Sequence, residues 1–320
     1  SAASDVYKRQ VVIVAIDKEL GYDQIEADAD KRITNAEVLW SWNIVFSEGY
    51  DPDAAENWIV KGGYTWMNRD LGALIDPEQA YIGGQLNNVA LASTTGNCYQ
   101  WGRKDPFVGA KDTGKDAPIG GASETAAFGT QTAAYEKNTI DQTAYAFDVI
   151  GNDDNTIIDC VAYAVQHPTT FIKYVASVGN SGVSTWFNSD LSNFSDLWGA
   201  VSGRKSVYDP CPAGYKVPVD SAEAWGGFAK ADVTSSAGSF GVTLNEAFYP
   251  CSGWRDVSGM LKQVGTYAKA ASATAPTNQA NILQIMYYKA TAAATTYTTM
   301  FSNSGKSFIA GGIPVRCVKE

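Results

Sequence analysis

Alternating apolar and polar positions predict a chain built mainly from short β-strands. Val11–Ile16 is a run of mostly β-branched residues, which favours a strand. A second strand is predicted over Glu37–Phe46, where Val38, Trp40, Trp42, Ile44 and Phe46 alternate with Leu39, Ser41, Asn43 and Val45, so that the first set forms the apolar face. Tyr64–Met67 predicts a further short strand, and strand pattern returns over Ser307–Lys319. We therefore expect small antiparallel sheets connected by long loops.

Helical periodicity is scarce in this sequence. Asp190–Val201 places its large apolar residues on one face of a predicted helix. Ser221–Ala231 predicts a second helix, because Asp220 or Ser221 can accept hydrogen bonds from the unpaired amides of its first turn. Its buried stripe would include Ala224 and Trp225. The sequence thus predicts few, short helices.

The segment from Lys104 to Ser189 has the composition of long loops, rich in Gly, Ala, Thr, Asn and Asp. Extended stretches with so little periodicity are uncommon in compact domains and tend to be functional or mobile. We expect a loop-rich insertion at about residues 104–189.

The charge balance and the histidine count exclude several classes of function. The net charge is −10, so a nucleic acid would be repelled over most of the surface. A single histidine, His167, excludes multi-histidine metal sites and leaves a Ser/His/Asp triad one candidate base. No continuous apolar run approaches the roughly 18 residues that a membrane-spanning helix needs, so we expect none.

The first ten residues are polar and lack the apolar core of a signal peptide. They resemble translated adaptor sequence, so we expect residues 1–10 to be a non-native leader and any export signal to be missing from this chain.

One acidic loop is a candidate calcium site. Gly151–Asp159 sets carboxylates and amides at short spacing, with Asp153, Asp154 and Asp159 as the candidate ligands. The loop lacks the order of ligands found in an EF-hand, and a solvated acidic turn is the favoured interpretation. We therefore expect no cofactor, with Ca²⁺ as the only candidate.

Three aromatic segments are candidates for sugar binding, because a sugar offers an apolar C–H face for stacking and hydroxyls for polar contacts. Their candidate ligand-binding residues are Trp101, Arg103, Trp186, Asn188, Trp254, Arg255 and Asp256. For Trp101 and Trp254, a core position under loops is the favoured alternative. For Trp186 the two interpretations are close to balanced.

Six segments in order resemble the Fibrobacter major paralogous domain and related fimbrillin-associated surface proteins of Gram-negative gut anaerobes. They are Val38–Ile44, Trp66–Ala73, Tyr99–Phe107, Asp209–Pro218, Pro250–Gly259 and Ile313–Lys319. The resemblance implies an α+β domain similar to C-type lectin-like folds and to formylglycine-generating enzymes. Such domains are carried on outer-membrane lipoproteins or pilus-tip subunits. On this basis residues 36–320 form one lectin-like domain, and residues 11–35 are a linker or the remnant of an upstream domain.

The same resemblance implies two disulfides. Cys211 would lie beside the last strand, where a bridge to Cys317 would close a loop of about a hundred residues. Cys98 and Cys251 stand where relatives tend to have other residues, which suggests a second bridge between them. Cys160 would then have no disulfide partner.

The resemblance favours a non-catalytic adhesion protein of the cell surface or fimbrial tip that binds a glycan or a host or bacterial surface protein. Its recognition surface would lie between Lys104 and Ser189, with Trp186 as the first residue to test. One alternative is a structural pilus subunit that joins other fimbrial subunits by β-strand addition at Val11–Ile16. Another is a carbohydrate-active enzyme, which needs two convergent carboxylates with shifted pKa values.

Overall fold

A computed structural model of the chain describes residues 10–20, 22–27, 33–45, 51, 53–54, 57–73, 81–82, 85–86, 94–107, 109, 148–151, 160–173, 185–186, 196–219, 224–225, 229, 233–234, 241–244, 247–257, 259, 261–263, 267–275, 279–288 and 298–320.

The described residues contain many short strands and one α-helix. The strands are β1 (Gln10–Ile16), β2 (Val38–Val45), β3 (Trp58–Lys61), β4 (Tyr64–Met67), β5 (Tyr81–Ile82), β6 (Gln85–Leu86), β7 (Cys98–Gln100), β8 (Asp148–Gly151), β9 (Thr170–Lys173), β10 (Tyr215–Lys216), β11 (Val233–Thr234), β12 (Gly241–Leu244), β13 (Ala247–Pro250), β14 (Trp254–Arg255), β15 (Leu261–Lys262), β16 (Tyr267–Ala271), β17 (Gln279–Tyr288), β18 (Thr298–Phe308), β19 (Gly312–Pro314) and β20 (Val318–Lys319). The helices are α1 (Cys160–Gln166) and a single 3₁₀ turn, Tyr22–Gln24.

The strands form small sheets that are antiparallel except for one pair. Four of the sheets have three or four strands, in the orders β10-β20-β4-β3, β15-β14-β19-β7, β11-β12-β13 and β16-β17-β18. The others are the two-stranded pairs β1-β2, β5-β6 and the parallel pair β8-β9. The expected sheet-rich fold with small antiparallel sheets is confirmed at this level. None of the helices in the described ranges is long and apolar enough to cross a membrane.

The predicted strands at residues 11–16, 37–46 and 64–67 coincide closely with β1, β2 and β4. The predicted apolar face of β2 is wrong at Trp42, which is half-exposed. The pairing with β1 shifts register near Leu39, and the Ser41 hydroxyl donates to Asp105 Oδ1 at 2.7 Å, which keeps Ser41 buried. A buried hydrogen bond, rather than apolar character, therefore decides which side of β2 faces inward.

The predicted helix at residues 190–201 is wrong in its described part, because residues 196–201 are turn residues. Asp196 Oδ1 accepts the backbone N–H groups of Val201 at 2.8 Å and Ser202 at 3.0 Å. A short carboxylate that binds nearby amides gives the backbone an alternative to the helix. Of the second predicted helix, Ala224 and Trp225 are fully buried, and most of the rest lies outside the described residues.

The predicted insertion contains regular structure that its composition did not predict. β8 and β9 pair in parallel, and α1 lies between them along the chain. Each element has four to seven residues, which is too short for a clear hydrophobic period.

Polar side chains next to β7 attach this segment to the rest of the fold. Arg103 Nη1 donates to the carbonyl of Thr170 at 2.7 Å, and Gln100 Nε2 donates to the carbonyl of Ile172 at 2.9 Å. Both side chains are buried, so these bonds replace water that the β9 carbonyls would otherwise bind.

The disulfide between Cys211 and Cys317 is present, as the resemblance implied. The predicted bridge between Cys98 and Cys251 is wrong, because neither residue forms a disulfide. Cys251 belongs to an apolar cluster with Trp66 and Trp225, whereas Cys98 lies on β7 where it pairs with β19. The two thiols therefore pack in different surroundings.

A buried ion pair joins the segment after β4 to the last turn of the chain. Arg316 donates from Nε to Asp70 Oδ1 at 2.9 Å, and its Nη2 lies 2.8 Å from the same oxygen. Nη2 also donates to the carbonyl of Phe248, and the guanidinium lies 3.7 Å from the centroid of the Tyr249 ring. Both charged side chains are almost completely buried.

Replacing Asp70 with Asn should leave the Arg316 charge buried without its counter-ion, and should lower the free energy of unfolding by about 3–5 kcal/mol. The double variant Asp70→Leu/Arg316→Met should recover most of that loss, because it removes both buried charges. Urea denaturation measures both effects. Asp256→Asn is the matched control, since its ion pair is partly exposed and its loss should cost less than about 1 kcal/mol. If Asp70→Asn lowers the free energy of unfolding by as little as Asp256→Asn does, a structural role for the pair is contradicted.

Candidate ligand-binding site

Two of the three candidate tryptophans are buried in the core. Trp186 is 1% exposed and donates from Nε1 to the carbonyl of Trp101 at 2.8 Å. Trp101 is 2% exposed and donates to the carbonyl of Ala273 at 2.9 Å. Arg103, two residues after Trp101 in the sequence, is also buried and binds backbone carbonyls. These residues brace the fold, and neither ring is exposed for stacking on a ligand.

Four of the predicted site residues lie outside the described residues. They are Asn188 and the three candidate calcium ligands Asp153, Asp154 and Asp159. Across the part of the chain that the structure describes, no group of three or more His, Cys, Asp or Glu side chains is arranged to hold a metal ion.

The third candidate, Trp254, lies at a partly exposed site on β14. Lys269 Nζ is 3.3 Å from the centroid of the Trp254 ring and 5.6 Å from that of Tyr267. The Trp254 and Tyr267 rings meet edge to face, with centroids 5.2 Å apart. Tyr267 and Lys269 are two residues apart on β16 and so share one face of the strand. We call Trp254, Tyr267 and Lys269 the aromatic–lysine cluster.

The two neighbours of Trp254 in the sequence have different roles. Arg255 is buried and donates from Nη1 to the carbonyl of Gly259 at 2.6 Å, so its side chain stabilises the turn after β14. Burial lowers the pKa of the Arg255 guanidinium to about 10. Asp256 is partly exposed and lies 3.8 Å from Lys262 Nζ on β15. Asp256 therefore offers a polar group beside the cluster, whereas Arg255 does not.

Lys269 is the electrostatic centre of the cluster. The residue is 5% exposed, and burial lowers the pKa of its ammonium to about 7. Its contacts are the two aromatic faces, and among the described residues no carboxylate or carbonyl oxygen binds it. Cation–π attraction offsets only part of the cost of taking an ammonium out of water.

A strained backbone lies next to the cluster. Gln263, after β15, has φ of +52°, a left-handed conformation that costs a non-glycine residue about 1–3 kcal/mol. Its carbonyl accepts the backbone N–H of Tyr267 at 3.1 Å. This bond helps to hold the start of β16, and with it the ring of Tyr267, against β14. Strain of this kind is concentrated at binding sites, which agrees with the position of the cluster.

Sequence reasoning identified Trp254 and Asp256 but missed Tyr267 and Lys269. The available signal was the spacing of Tyr267 and Lys269, which puts both on one face of a strand. Their meeting with Trp254 depends on the packing of β14 against β16, which no local pattern specifies.

The buried carboxylates of the described residues are each neutralised by a cation. Asp70 pairs with Arg316 at 2.8 Å, Asp105 with Lys104 at 2.6 Å, and Asp209 with Lys205 at 2.7 Å. Each of these groups has a structural partner, so none of the three is placed as a proton donor to a ligand.

No protein-family model, curated protein or solved structure matches this chain.

Replacing Lys269 with Met should stabilise the fold below pH 7, because it removes a buried charge while keeping a side chain of similar length. Since folding lowers the lysine pKa, the unfolded chain binds more protons between about pH 7 and 10.5. Wild-type stability should therefore rise relative to the variant over this range, by at most about 1.4 kcal/mol per pH unit. Chemical denaturation at several pH values measures the difference. Lys262→Met is the control. If the difference in unfolding free energy between the wild type and Lys269→Met does not change with pH, the buried ammonium is contradicted.

Proposed function

We propose that this chain is a non-catalytic binding domain with a C-type lectin-like fold that acts in adhesion and binds a glycan at the aromatic–lysine cluster. The observation that carries the proposal is the partly exposed Trp254 ring, held edge to face by Tyr267 and flanked by the polar pair Asp256 and Lys262. A sugar needs such a combination of an apolar ring and adjacent hydrogen-bonding groups.

A glycan is favoured over a flat protein partner because the aromatic surface is small. Trp254 and Tyr267 are only partly exposed. A stable protein interface needs about 800 Å² from each partner, whereas one or two sugar rings cover a single tryptophan and its rim.

Export to the cell surface or a fimbrial tip forms part of the same proposal. The disulfide between Cys211 and Cys317 supports it, because disulfides persist mainly in oxidising compartments outside the cytosol. Three of the segments that resemble the family lie next to each other in the fold, which supports the fold assignment. Met67 donates its N–H to the carbonyl of Cys317, and β19 pairs with β7.

A glycan array probed with the whole chain tests the proposal. We expect the wild type to bind a subset of glycans and Trp254→Ala to lose at least tenfold in affinity, which corresponds to about 1.4 kcal/mol. Trp42→Ala is the matched control, because Trp42 is a half-exposed tryptophan on a different sheet. Equal binding by the wild type and Trp254→Ala would contradict the assigned site. A wild type that binds no glycan would overturn the proposed ligand.

A second candidate function is subunit joining by β-strand addition, with a second copy of this chain as the partner. Within the described residues β1 pairs only with β2, so no described strand covers its other edge. Gln10–Ile16 carries neither a charge nor a proline, the usual devices that protect an edge strand. Ile13 lies opposite Trp42, and both are about half-exposed, which adds an apolar surface next to that edge.

Light scattering after size-exclusion chromatography tests this second candidate. We expect oligomers that increase with concentration in the wild type and are lost in Ile13→Lys, because a charge beside the edge opposes strand pairing. Trp254→Ala should assemble as the wild type does. A wild type that remains monomeric at every concentration would exclude self-assembly through β1.

A further inference from the structure

We propose that Lys269 is the contact for a carboxylate of the ligand, so that the aromatic–lysine cluster selects acidic sugars over neutral ones. The inference rests on the proposed glycan-binding function and adds the chemical class of the ligand.

Among the described residues, Lys269 has no counter-ion. Lys269 is more than nine-tenths buried, and its ammonium contacts the faces of Trp254 and Tyr267 without a bound anion among the described residues. A buried charge is ordinarily paired, because an isolated one loses its hydration without compensation. The other buried cations described above, Arg103, Arg255 and Arg316, each donate to at least one acceptor oxygen. In the part of the chain that the structure describes, Lys269 has no such acceptor.

The charges on β14 and β15, near Lys269, are bound to other groups. On β14, the Arg255 guanidinium is directed to the carbonyl of Gly259, and the following residue, Asp256, pairs with Lys262 of β15. β12, β13, β17 and β19 carry no lysine, arginine, aspartate or glutamate, and the phenol of Tyr249 on β13 is held near Arg316. Burial alone accounts for the lowered pKa of Lys269, so none of these charges compensates it.

A ligand would reach Lys269 past the partly exposed rims of the two rings. Lys269 Nζ lies over one face of the Trp254 ring, 3.3 Å from its centroid, so a sugar would rest against the rims of Trp254 and Tyr267 with its carboxylate directed towards the ammonium. A carboxylate on that sugar would supply the missing hydrogen-bond acceptor in surroundings of low dielectric, where a charged pair is stronger than in water.

The single ammonium of the cluster favours one kind of anion. A single ammonium is a compact point charge, whereas phosphate-binding sites usually combine several donors or the planar fork of arginine. The nearest arginine along β14, Arg255, is already bound to backbone. A carboxylate with one negative charge therefore matches the cluster better than a phosphate or a multiply sulfated sugar.

Calorimetric titration with matched acidic and neutral sugars tests the inference. The probes are 3′-sialyllactose against lactose and cellobiouronic acid against cellobiose, each at pH 6 and pH 8.5. We expect the wild type to bind at least one acidic sugar tenfold or more tightly than its neutral partner at pH 6. The preference should decrease at pH 8.5, because the ammonium loses its proton near pH 7.

The variants separate this inference from the function on which it rests. Lys269→Met should lose the preference, measured as the ratio of the affinity for the acidic sugar to that for its neutral partner. Lys216→Met, on the separate sheet β10-β20-β4-β3, should keep that ratio. The unfolding measurements described above for Lys269→Met show whether the variant is folded.

Four results would overturn the inference. An equal preference in Lys269→Met and the wild type would exclude Lys269 as the anion contact. If the wild type binds neutral sugars as tightly as acidic ones, the proposed glycan binding stands, but acidic sugars are excluded as the preferred ligand class. Sulfated lactose bound as tightly as 3′-sialyllactose would show that the site does not select a carboxylate. If no sugar of any kind binds, the proposed function fails together with the inference.

Discussion

The buried pair of Asp70 and Arg316 is the constraint on which the rest of the structure depends. Two charges removed from water are tolerable only when they stay closely paired, so the segments that carry them have little freedom to shift. Leu71 donates its N–H to the carbonyl of Val315, next to Arg316, and Cys317 is linked to Cys211. The register between β4 and β20 is therefore fixed by charge, backbone bonds and a covalent link together.

This fixed terminal segment also positions the candidate site. β19 precedes Arg316 by two residues and pairs with β7 on one side and with β14, which carries Trp254, on the other. A Cβ on Gly312 of β19 would lie 3.2 Å from the Cβ of Cys98 and 3.3 Å from that of Arg255, so the three strands meet closely. The ring of Trp254 is thus supported by the most constrained part of the molecule, while Lys269 reaches it from a separate sheet.

The sequence predicted features that depend on local pattern or on resemblance to other domains. A β-branched run for β1, alternation for β2 and a short strand pattern for β4 were sufficient to locate these strands, and the resemblance was sufficient for the bridge between Cys211 and Cys317. Prediction from the sequence failed where a contact between distant segments decides whether a side chain is buried. The composition of a loop-like segment does not show whether its tryptophan is buried, as Trp186 is, or exposed. The position of Lys269 against Trp254 likewise comes from the packing of two sheets.

Arg103 has a consequence for how this domain can diverge. Its guanidinium binds Gln100, the last residue of β7, and the carbonyl of Thr170 at the start of β9, so two points far apart in sequence are fixed to each other in the core. The entropy of closing a chain between fixed points grows slowly, by about 0.6 kcal/mol for each doubling of length. Away from the buried residues Asp105 and Phe107, from β8 and from the buried face of α1, the chain between these two anchor points can therefore change in length with little cost to the core, which makes this position suited to the insertion of foreign peptides.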